Sequence, residues 1–200
     1  MPSKVETSGG RRLRREDRQA QILDAATETF ARAGFTATSL DDVATEAGVS
    51  RVILYRHFDS KADLYRQVLD RVCTRLAAAC GHSDFTDDTL PALIDVATHD
   101  PGGFRLLFQH AAREPEFRDE MNQFRATMTD TALAGLTDRV SDPAWERWAA
   151  QLSAVVAVEA IIAWLDTGQP DPDQIVTHIR RVLDSIPNPT QPPNPTRRDH

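Results

Sequence analysis

The chain has 200 residues, of which 40% are hydrophobic and 26% are charged, as in an ordinary globular protein. Its formal net charge of -7 argues against binding to nucleic acid through overall charge alone. The two cysteines, Cys73 and Cys80, are too few for a disulfide framework and favour a reducing cytoplasm.

The charge is unevenly distributed along the chain. Residues 1–75 carry 13 Lys and Arg against 11 Asp and Glu, whereas residues 76–200 carry 10 against 19. A local basic surface can therefore form in the first part. No apolar run approaches the roughly eighteen residues that a membrane span needs, and the longest, 152–165, is interrupted by Glu159. We therefore expect a protein that does not contact a membrane.

Both ends of the chain have a biased composition. Residues 1–15 contain the cluster 11-RRLRR-15, which predicts a mobile basic arm or a terminus without a role. Residues 187–200 contain five prolines, so they cannot form a helix interior and are predicted to be a disordered tail.

Between the ends, apolar residues recur at spacings of three and four, which is typical of amphipathic helices. No segment alternates like a strand, and no internal repeat is present. The spacing predicts an all-α fold of nine helices, over residues 18–33, 39–47, 50–57, 60–80, 86–98, 101–113, 115–140, 143–168 and 172–186.

Side-chain caps mark several of the helix starts. Ser39 followed by Asp42 resembles a capping box, with Asp in place of the usual Glu. Ser50 can cap the third helix. Asp142 stands before a proline at the first position of the eighth helix, and Asp171 stands before a proline in the same way.

The second and third helices are joined by the segment Ala47-Gly48-Val49-Ser50. Gly48 permits the positive φ that a tight turn between helices needs, and Val49 can pack beneath both helices. Two short helices joined in this way predict a helix-turn-helix motif, whose second helix enters the major groove of DNA.

The motif resembles a known family. The stretch 39-SLDDVATEAGVSRVILYRHFDSKADLY-65, preceded by 22-ILDAATETFARAGFTATS-39, is similar to the N-terminal domain of the TetR (tetracycline-repressor) family. The resemblance is strong over residues 18–65, and beyond them only the helical layout and the length match. It implies a DNA-binding domain over 16–62 and a ligand-binding and dimerisation domain over 63–186.

The resemblance also implies which groups contact double-stranded DNA. Because the third helix of the family reads bases, Arg51 would bond guanine or a phosphate. Tyr55 and His57 match positions that contact the DNA backbone, and Lys61 matches a phosphate-binding lysine. Polar groups at the start of the second helix would hold another phosphate. The implied DNA-contacting residues are Thr38, Ser39, Ser50, Arg51, Val52, Ile53, Tyr55, Arg56, His57 and Lys61.

Two further features concern DNA. Val52 and Ile53 stand where the family commonly has small residues, and we hypothesise that this pair reads thymine methyl groups. Leu54 and Phe58 match buried positions that hold the third helix on the first. Arg56 either contacts DNA or points to solvent. Minor-groove or phosphate contact is the hypothesis for the arginines of the arm, Arg11, Arg12, Arg14 and Arg15.

The family dimerises through its last two helices. The predicted helix from Pro143 is apolar on nearly all sides, which indicates that it is covered on both. Two copies of the last two helices would form a four-helix interface. The alternative is that the core of a monomer buries everything. The predicted interface residues are Val158, Ile161, Ile162, Leu165, Ile175, Ile179, Val182 and Leu183.

A small-molecule pocket is expected among the middle helices, since ligand pockets are mostly apolar with few polar anchors. Large side chains at helical spacing are also typical of ordinary core. Glu159 would hold a cationic ligand, pair with an arginine or face solvent. His82, His110 and Gln123 are further polar candidates. The predicted pocket residues are Phe104, Arg105, Leu107, Phe108, Phe117, Met121, Phe124, Trp148 and Glu159.

The sequence thus predicts a dimeric repressor that binds a palindromic operator and is released by a small-molecule effector. A ligand-independent DNA-binding regulator or an activator is the alternative. A helical enzyme is a remote one, because no phosphate loop, metal pair or nucleophile motif is present. Cys73, Cys80 and His82 are too sparse for a zinc site, so we expect neither a metal nor a cofactor.

Overall fold

The computed structural model describes residues 15–80, 88–134 and 142–186. Within these ranges the chain forms nine α-helices and no strand, which confirms the all-α prediction. The arm up to residue 14, His82 and the tail lie outside the described residues. The helices are α1 Arg15–Ala37, α2 Leu40–Glu46, α3 Arg51–Tyr55, α4 Lys61–Cys80, α5 Thr89–His99, α6 Pro101–Arg105, α7 Arg118–Ala134, α8 Pro143–Asp166 and α9 Ile175–Asp184.

The chain stays helical between α6 and α7. A π-helical turn, Leu106–His110, follows α6 and is continued by two 3₁₀ turns, Ala111–Arg113 and Pro115–Phe117. Asp100 starts this path, because its carboxylate accepts a hydrogen bond from the backbone N–H of Gly103 at 2.8 Å. The predicted single helix over 101–113 is therefore broken into three kinds of helical turn.

The first three helices bury their apolar faces against one another, at one end of the hydrophobic core. Ile22 and Phe30 of α1, Val43 of α2 and Leu54 of α3 are all completely buried. Gly34, with φ 76° and ψ 173°, interrupts the helix where the sequence predicts its end, and a last helical turn continues beyond this kink to Ala37. Glycine adopts this conformation without the steric cost that a side chain would add.

An aromatic cluster joins this unit to the rest of the chain. The Tyr65 ring of α4 lies 4.8 Å from Phe30, 5.0 Å from Phe35 and 4.5 Å from Phe117, measured between ring centroids. An ion pair between Arg71 of α4 and Asp24 of α1, at 2.7 Å, reinforces the contact. The two parts are therefore held together by buried area as well as by charge.

The long helix α8 lies at the centre of the second part, against α5, α7 and α9. Asp142 caps it by accepting a hydrogen bond from the N–H of Ala144 at 2.8 Å, as predicted. Gly168, with φ +83°, follows its end, also as predicted. By length and composition α8 is apolar enough to cross a membrane, contrary to our prediction, with a mean hydropathy of 1.7. Within the protein, 44% of that apolar window is buried, against α5, α7 and α9.

The predicted start of the last helix is wrong. Asp171 does not cap a helix, because it adopts a positive φ of 46° instead of the extended conformation of an N-cap residue. Its carbonyl accepts a hydrogen bond from Gln174 N–H at 2.9 Å and closes a turn. α9 begins only at Ile175.

Candidate nucleic-acid interface and ligand cavity

The turn between α2 and α3 is built by short-range hydrogen bonds. Ser39 and Asp42 form the predicted capping box at the start of α2, and Ser50 caps α3 by accepting a hydrogen bond from Ile53 N–H at 3.4 Å. Gly48 has φ +62°, and no atom lies within 4 Å of where a Cβ would stand. The backbone conformation, rather than crowding, therefore favours glycine here.

The solvent-facing side of α3 carries Arg51, Val52, Tyr55 and Arg56. The guanidinium of Arg51 pairs with the carboxylate of Asp41 at 3.1 Å and lies 5.6 Å from the centre of the Tyr55 ring. Both side chains of the ion pair remain more than half exposed. This face can present a planar cation, a phenol and an apolar side chain to a nucleic acid.

The predicted pair of apolar readers is divided by the structure. Val52 is 63% exposed, so its methyl groups can reach a base. Ile53 is half-buried and packs against the core, because it lies on the side of α3 that faces inward with Leu54. Ile53 is thus less available to DNA than Val52, and its contact with DNA stays a prediction, whereas Leu54 and Phe58 are buried as predicted.

His57 lies beside the start of α1. Its Nδ1 is buried and has no hydrogen-bond partner among the described residues. Burial lowers the pKa of His57 below its ordinary value, and the nearby positive charges of Arg15 and Arg18 lower it further. Arg15 and Arg18 thus belong to the same basic surface as His57. The sequence offered no signal that would place Arg18 near the third helix.

Lys61 is bound within the protein. Its Nζ donates hydrogen bonds to the carbonyl oxygens of Phe35, at 2.8 Å, and Thr38, at 3.0 Å. The ammonium also lies 4.3 Å from the centre of the Phe35 ring. Since an ammonium has three N–H donors, one is left for a phosphate.

The start of α2 differs from expectation. Thr38 is buried, and its hydroxyl donates to the carbonyl of Gly34 at 2.7 Å. The predicted contact between this hydroxyl and DNA is therefore corrected. The Ser39 hydroxyl is exposed but donates to Asp42 Oδ2 at 2.6 Å as part of the cap. Backbone N–H groups at this helix start are the more available donors for a phosphate.

An apolar cavity lies inside the second part, between α4, α5, α7 and α8. Its volume is about 160 Å³, and we call it the inner cavity. Small side chains on three of these helices leave the space: Ala77 of α4, Ala132 of α7, and Ala154 and Ala157 of α8. Phe124 is the only predicted pocket residue that lines it. The other lining residues are Leu76, Cys80, Thr89, Leu93, Thr127, Met128, Thr131 and Ser153.

A wider groove of about 550 Å³ runs along the outside of α7 and α8. Phe108, Trp148 and Glu159 line this outer groove, as predicted pocket residues. Trp148 stacks edge-on against Trp145, with ring centroids 5.2 Å apart. The remaining lining residues are Arg125, Met128, Thr129, Gln151, Leu152, Ala154, Val155 and Val158.

Five predicted pocket residues line neither space. Phe104, Leu107, Phe117 and Met121 are buried in the core, where they pack against other side chains. Phe117 in particular belongs to the aromatic cluster at the junction. Arg105 pairs with Asp166 at 2.9 Å. The four apolar residues fill the core rather than enclose either space, and Arg105 is held by its ion pair.

Most of the predicted dimer interface is also interior. Six residues are buried within one chain, since α8 packs against α5, α7 and α9 of its own molecule: Val158, Ile161, Ile162, Leu165, Ile175 and Ile179. Val182 is 50% exposed and Leu183 is half-buried. Trp145, Trp148 and Val155 of α8 also stay exposed, so a single chain does not bury every apolar residue of the last two helices, and dimerisation stays a prediction.

Comparisons with known proteins agree with this geometry. Residues 22–68 match the profile described as bacterial regulatory proteins, tetR family. The chain is 33% identical over 181 residues to the HTH-type transcriptional activator FasR of Mycolicibacterium smegmatis, which covers 84% of this chain and 81% of that protein. It is 38% identical over 81 residues to the HTH-type transcriptional repressor Rv3405c of Mycobacterium tuberculosis, over 40% of this chain and 43% of that one.

A solved structure has the same fold. A TetR-like transcriptional regulator from Rhodococcus sp. RHA1 superposes with a TM-score of 0.73 at 22% identity, over 86% of this chain and 96% of that one. At this identity the likeness concerns the fold alone.

Proposed function

The chain belongs to the TetR family of DNA-binding transcriptional regulators, and we propose that it binds a palindromic operator as a homodimer and is released by a small-molecule effector. The family is one of regulators, which agrees with the sequence-based choice of a regulator over an enzyme. We propose the boundaries 16–62 for the DNA-binding domain and 63–186 for the domain that binds effector and partner, in a cytoplasmic protein.

The observation that carries DNA binding is the exposed face of α3. Arg51, Val52 and Tyr55 project from a helix that is capped by Ser50 and anchored by buried Leu54. A recognition helix must be rigid on one side and free on the other, and α3 meets both conditions. His57, Arg15 and Arg18 extend the basic surface toward the start of α1.

A mobility-shift assay with DNA from upstream of the gene tests this proposal. We expect a discrete complex with the wild-type chain, weakened by added salt because phosphate contacts release counterions. Tyr55→Phe should weaken binding modestly, and Arg51→Ala more strongly. Arg113→Ala, an exposed arginine in the 3₁₀ turn Ala111–Arg113, is the matched control and should bind as wild type does. Equal binding by Arg51→Ala and wild type would contradict the role of α3.

The effector would enter the inner cavity. It is apolar, lies within the second part and touches four helices, one of which, α4, also packs against α1. A molecule that spreads these helices would therefore move the reading helices of the two subunits relative to each other.

The dimer would use exposed side chains of the last helices. Val182 and Leu183 remain available on α9, and we propose that a second copy covers them. Size-exclusion chromatography with light scattering tests this: Val182→Asp should give a monomer, whereas a dimer of unchanged stability would exclude this surface.

Activation of transcription, rather than repression, is the second candidate function. The relative that matches along most of its length is named an activator, whereas the one named a repressor matches over less than half of its length. A reporter gene behind the bound promoter separates the two, because deletion of a repressor raises its expression and deletion of an activator lowers it.

A further inference from the structure

The inner cavity and the outer groove are neighbouring parts of one space. Met128 of α7 and Ala154 of α8 line both. At about 160 Å³, the inner cavity is smaller than the roughly 300–1,000 Å³ of typical ligand pockets. The groove, at about 550 Å³, lies within that range. A molecule of ordinary effector size that fills the cavity would therefore extend past Met128 into the groove.

Both spaces are lined mainly by apolar residues, and the two charged residues that line either of them, Arg125 and Glu159, both lie on the groove. On α7, Phe124 and Thr131 line the cavity, whereas Arg125 lines the groove. On α8, Ala157 lines the cavity and Glu159 lines the groove. Residues three and four apart share a helix face, so each helix turns one charged residue toward the groove and none toward the cavity.

The cavity has little to offer a polar group. The hydroxyls of Thr127 and Thr131 already donate to carbonyls of their own helix, those of Gln123 at 3.1 Å and Thr127 at 3.0 Å. The Ser153 hydroxyl makes no hydrogen bond within the described part of the chain, so it can serve an isolated polar atom of a ligand but not a charged or strongly polar group. A polar group placed here without partners would lose its hydration, so the portion of a ligand that enters the cavity is apolar.

The groove carries one charge of each sign. Neither the guanidinium of Arg125 nor the carboxylate of Glu159 has an ion-pair partner among the described residues. The amide of Gln151 lies on the same groove and is likewise not hydrogen-bonded there. A head group of one sign would gain one attraction and meet one repulsion, whereas a head with both signs can satisfy both residues.

From these observations we propose that the two spaces form one binding site for an amphiphilic molecule with a zwitterionic head. Its apolar portion occupies the inner cavity, and its head lies between Arg125 and Glu159. The proposal rests on the proposed effector binding and names the class of the effector.

Calorimetric titration with four probes that share an n-octyl chain and differ in head group tests the proposed class of ligand. The probes are n-octyl phosphocholine, n-octyl glucoside, octanoate and n-octylammonium, each below its micelle concentration, with the full-length chain. We expect the phosphocholine to bind at least about tenfold more tightly than octanoate or octylammonium, which corresponds to about 1.4 kcal/mol. Octanoate or octylammonium as the tightest ligand would overturn the zwitterionic assignment.

Two charge variants test whether the head group of the ligand contacts Arg125 and Glu159. Arg125→Gln should weaken octyl phosphocholine and octanoate but not octylammonium. Glu159→Gln should weaken octyl phosphocholine and octylammonium but not octanoate. If neither variant changes the affinity for octyl phosphocholine, the head does not lie in the groove and the proposal fails.

Two cavity-filling variants test whether the octyl chain of the probes occupies the inner cavity. Ala157→Leu should abolish binding of all four probes, and Ala132→Leu, on the opposite wall, repeats the test if the first variant is unstable. Ala163→Leu is the matched control, because Ala163 lies on the exposed side of α8. Full binding by both folded filling variants would overturn the proposal.

The DNA and oligomer measurements keep the two proposals apart. If the unliganded chain shifts operator DNA but no probe binds, the ligand class is wrong and the regulator remains. If Val155→Asp separates the dimer and no probe binds, the groove is a subunit interface, which also refutes the ligand site. If octyl phosphocholine binds but operator DNA is neither bound nor released, the site exists without the proposed regulatory function.

Discussion

Lys61→Met separates the contribution of Lys61 to folding from its contribution to DNA binding. The ammonium of Lys61 holds together the end of α1 and the loop before α2, through the carbonyls of Phe35 and Thr38. The Phe35 ring beneath it adds a cation–π contact. A purely DNA-facing lysine would have no such partners. We therefore expect the variant to unfold more easily even without DNA.

The size of the effect follows from three contacts. Hydrogen bonds that involve a charged group contribute roughly 1.5–3 kcal/mol each when buried, but Lys61 is partly exposed and water can replace part of each bond. About 1 kcal/mol for each bond is reasonable here, and the cation–π contact adds roughly 0.5–1 kcal/mol. The expected loss of unfolding free energy is about 2–3 kcal/mol.

Urea denaturation at one fixed protein concentration, followed by circular dichroism, measures the loss. The slope of the unfolding free energy against urea concentration should stay constant, while the urea concentration at the midpoint of unfolding falls. Arg56→Gln is the matched control, because it removes an exposed cation whose side chain makes no ion pair or hydrogen bond among the described residues, and it should change stability by no more than about 0.5 kcal/mol. On operator DNA, Lys61→Met should also flatten the salt slope by about one unit.

The reasoning fails if Lys61→Met weakens DNA binding while the unfolding free energy changes by less than about 0.5 kcal/mol. In that case Lys61 serves only the phosphate. Lys61→Arg then shows whether a positive charge at this position is enough for DNA binding.

Three further predictions concern single side chains. Asp41→Asn frees Arg51 from its ion pair, so the affinity for random DNA should rise and the ratio of the affinities for operator and random DNA should fall. Glu46→Gln, on the same helix, is the control. An unchanged ratio in Asp41→Asn would exclude a positioning role for Asp41. Val52→Gly should remove the penalty for replacing operator thymines by uracils, and a persisting penalty would refute methyl reading by Val52. Burial raises the pKa of Cys73 to about 11, so iodoacetamide at neutral pH should label it far more slowly in the folded than in the urea-unfolded chain; equal rates would contradict its burial.

Local signals in the sequence were the most informative. The capping box at Ser39, the caps at Ser50 and Asp142 and the turn at Gly48 each depend on a few neighbouring residues, and the structure has all four. The same signal failed at Asp171, where the chain turns with a positive φ before α9. The difference is that a cap requires an extended residue, and the residue type alone does not determine that conformation.

Long-range packing could not be predicted from periodicity. A helix that is apolar on all sides, such as α8, must be covered, but the pattern does not say whether its own chain or a partner covers it. Ile161 and Ile179 are therefore buried in the monomer, where an interface was expected. Likewise, no spacing rule would place Lys61 on the carbonyls of Phe35 and Thr38.

The inner cavity was not predicted from the sequence, because the cavity is formed by small side chains that leave space between helices. Large side chains such as Phe104 and Leu107 were expected to form the walls, but they fill the core. The space exists where small residues, among them Ala132 of α7 and Ala157 of α8, line it. Small residues at facing positions of neighbouring helices are the signal that would find such a cavity, and it requires knowing which helices are neighbours.

The most direct test of the account is selection of binding sites from random DNA with wild-type protein and Arg51→Ala. The account predicts a palindrome for the wild type, with half-sites about 34 Å or a multiple apart. It also predicts that Arg51→Ala loses base preference at one position in each half-site while the spacing persists. A selected sequence without two-fold symmetry, or identical preferences for both proteins, would contradict it.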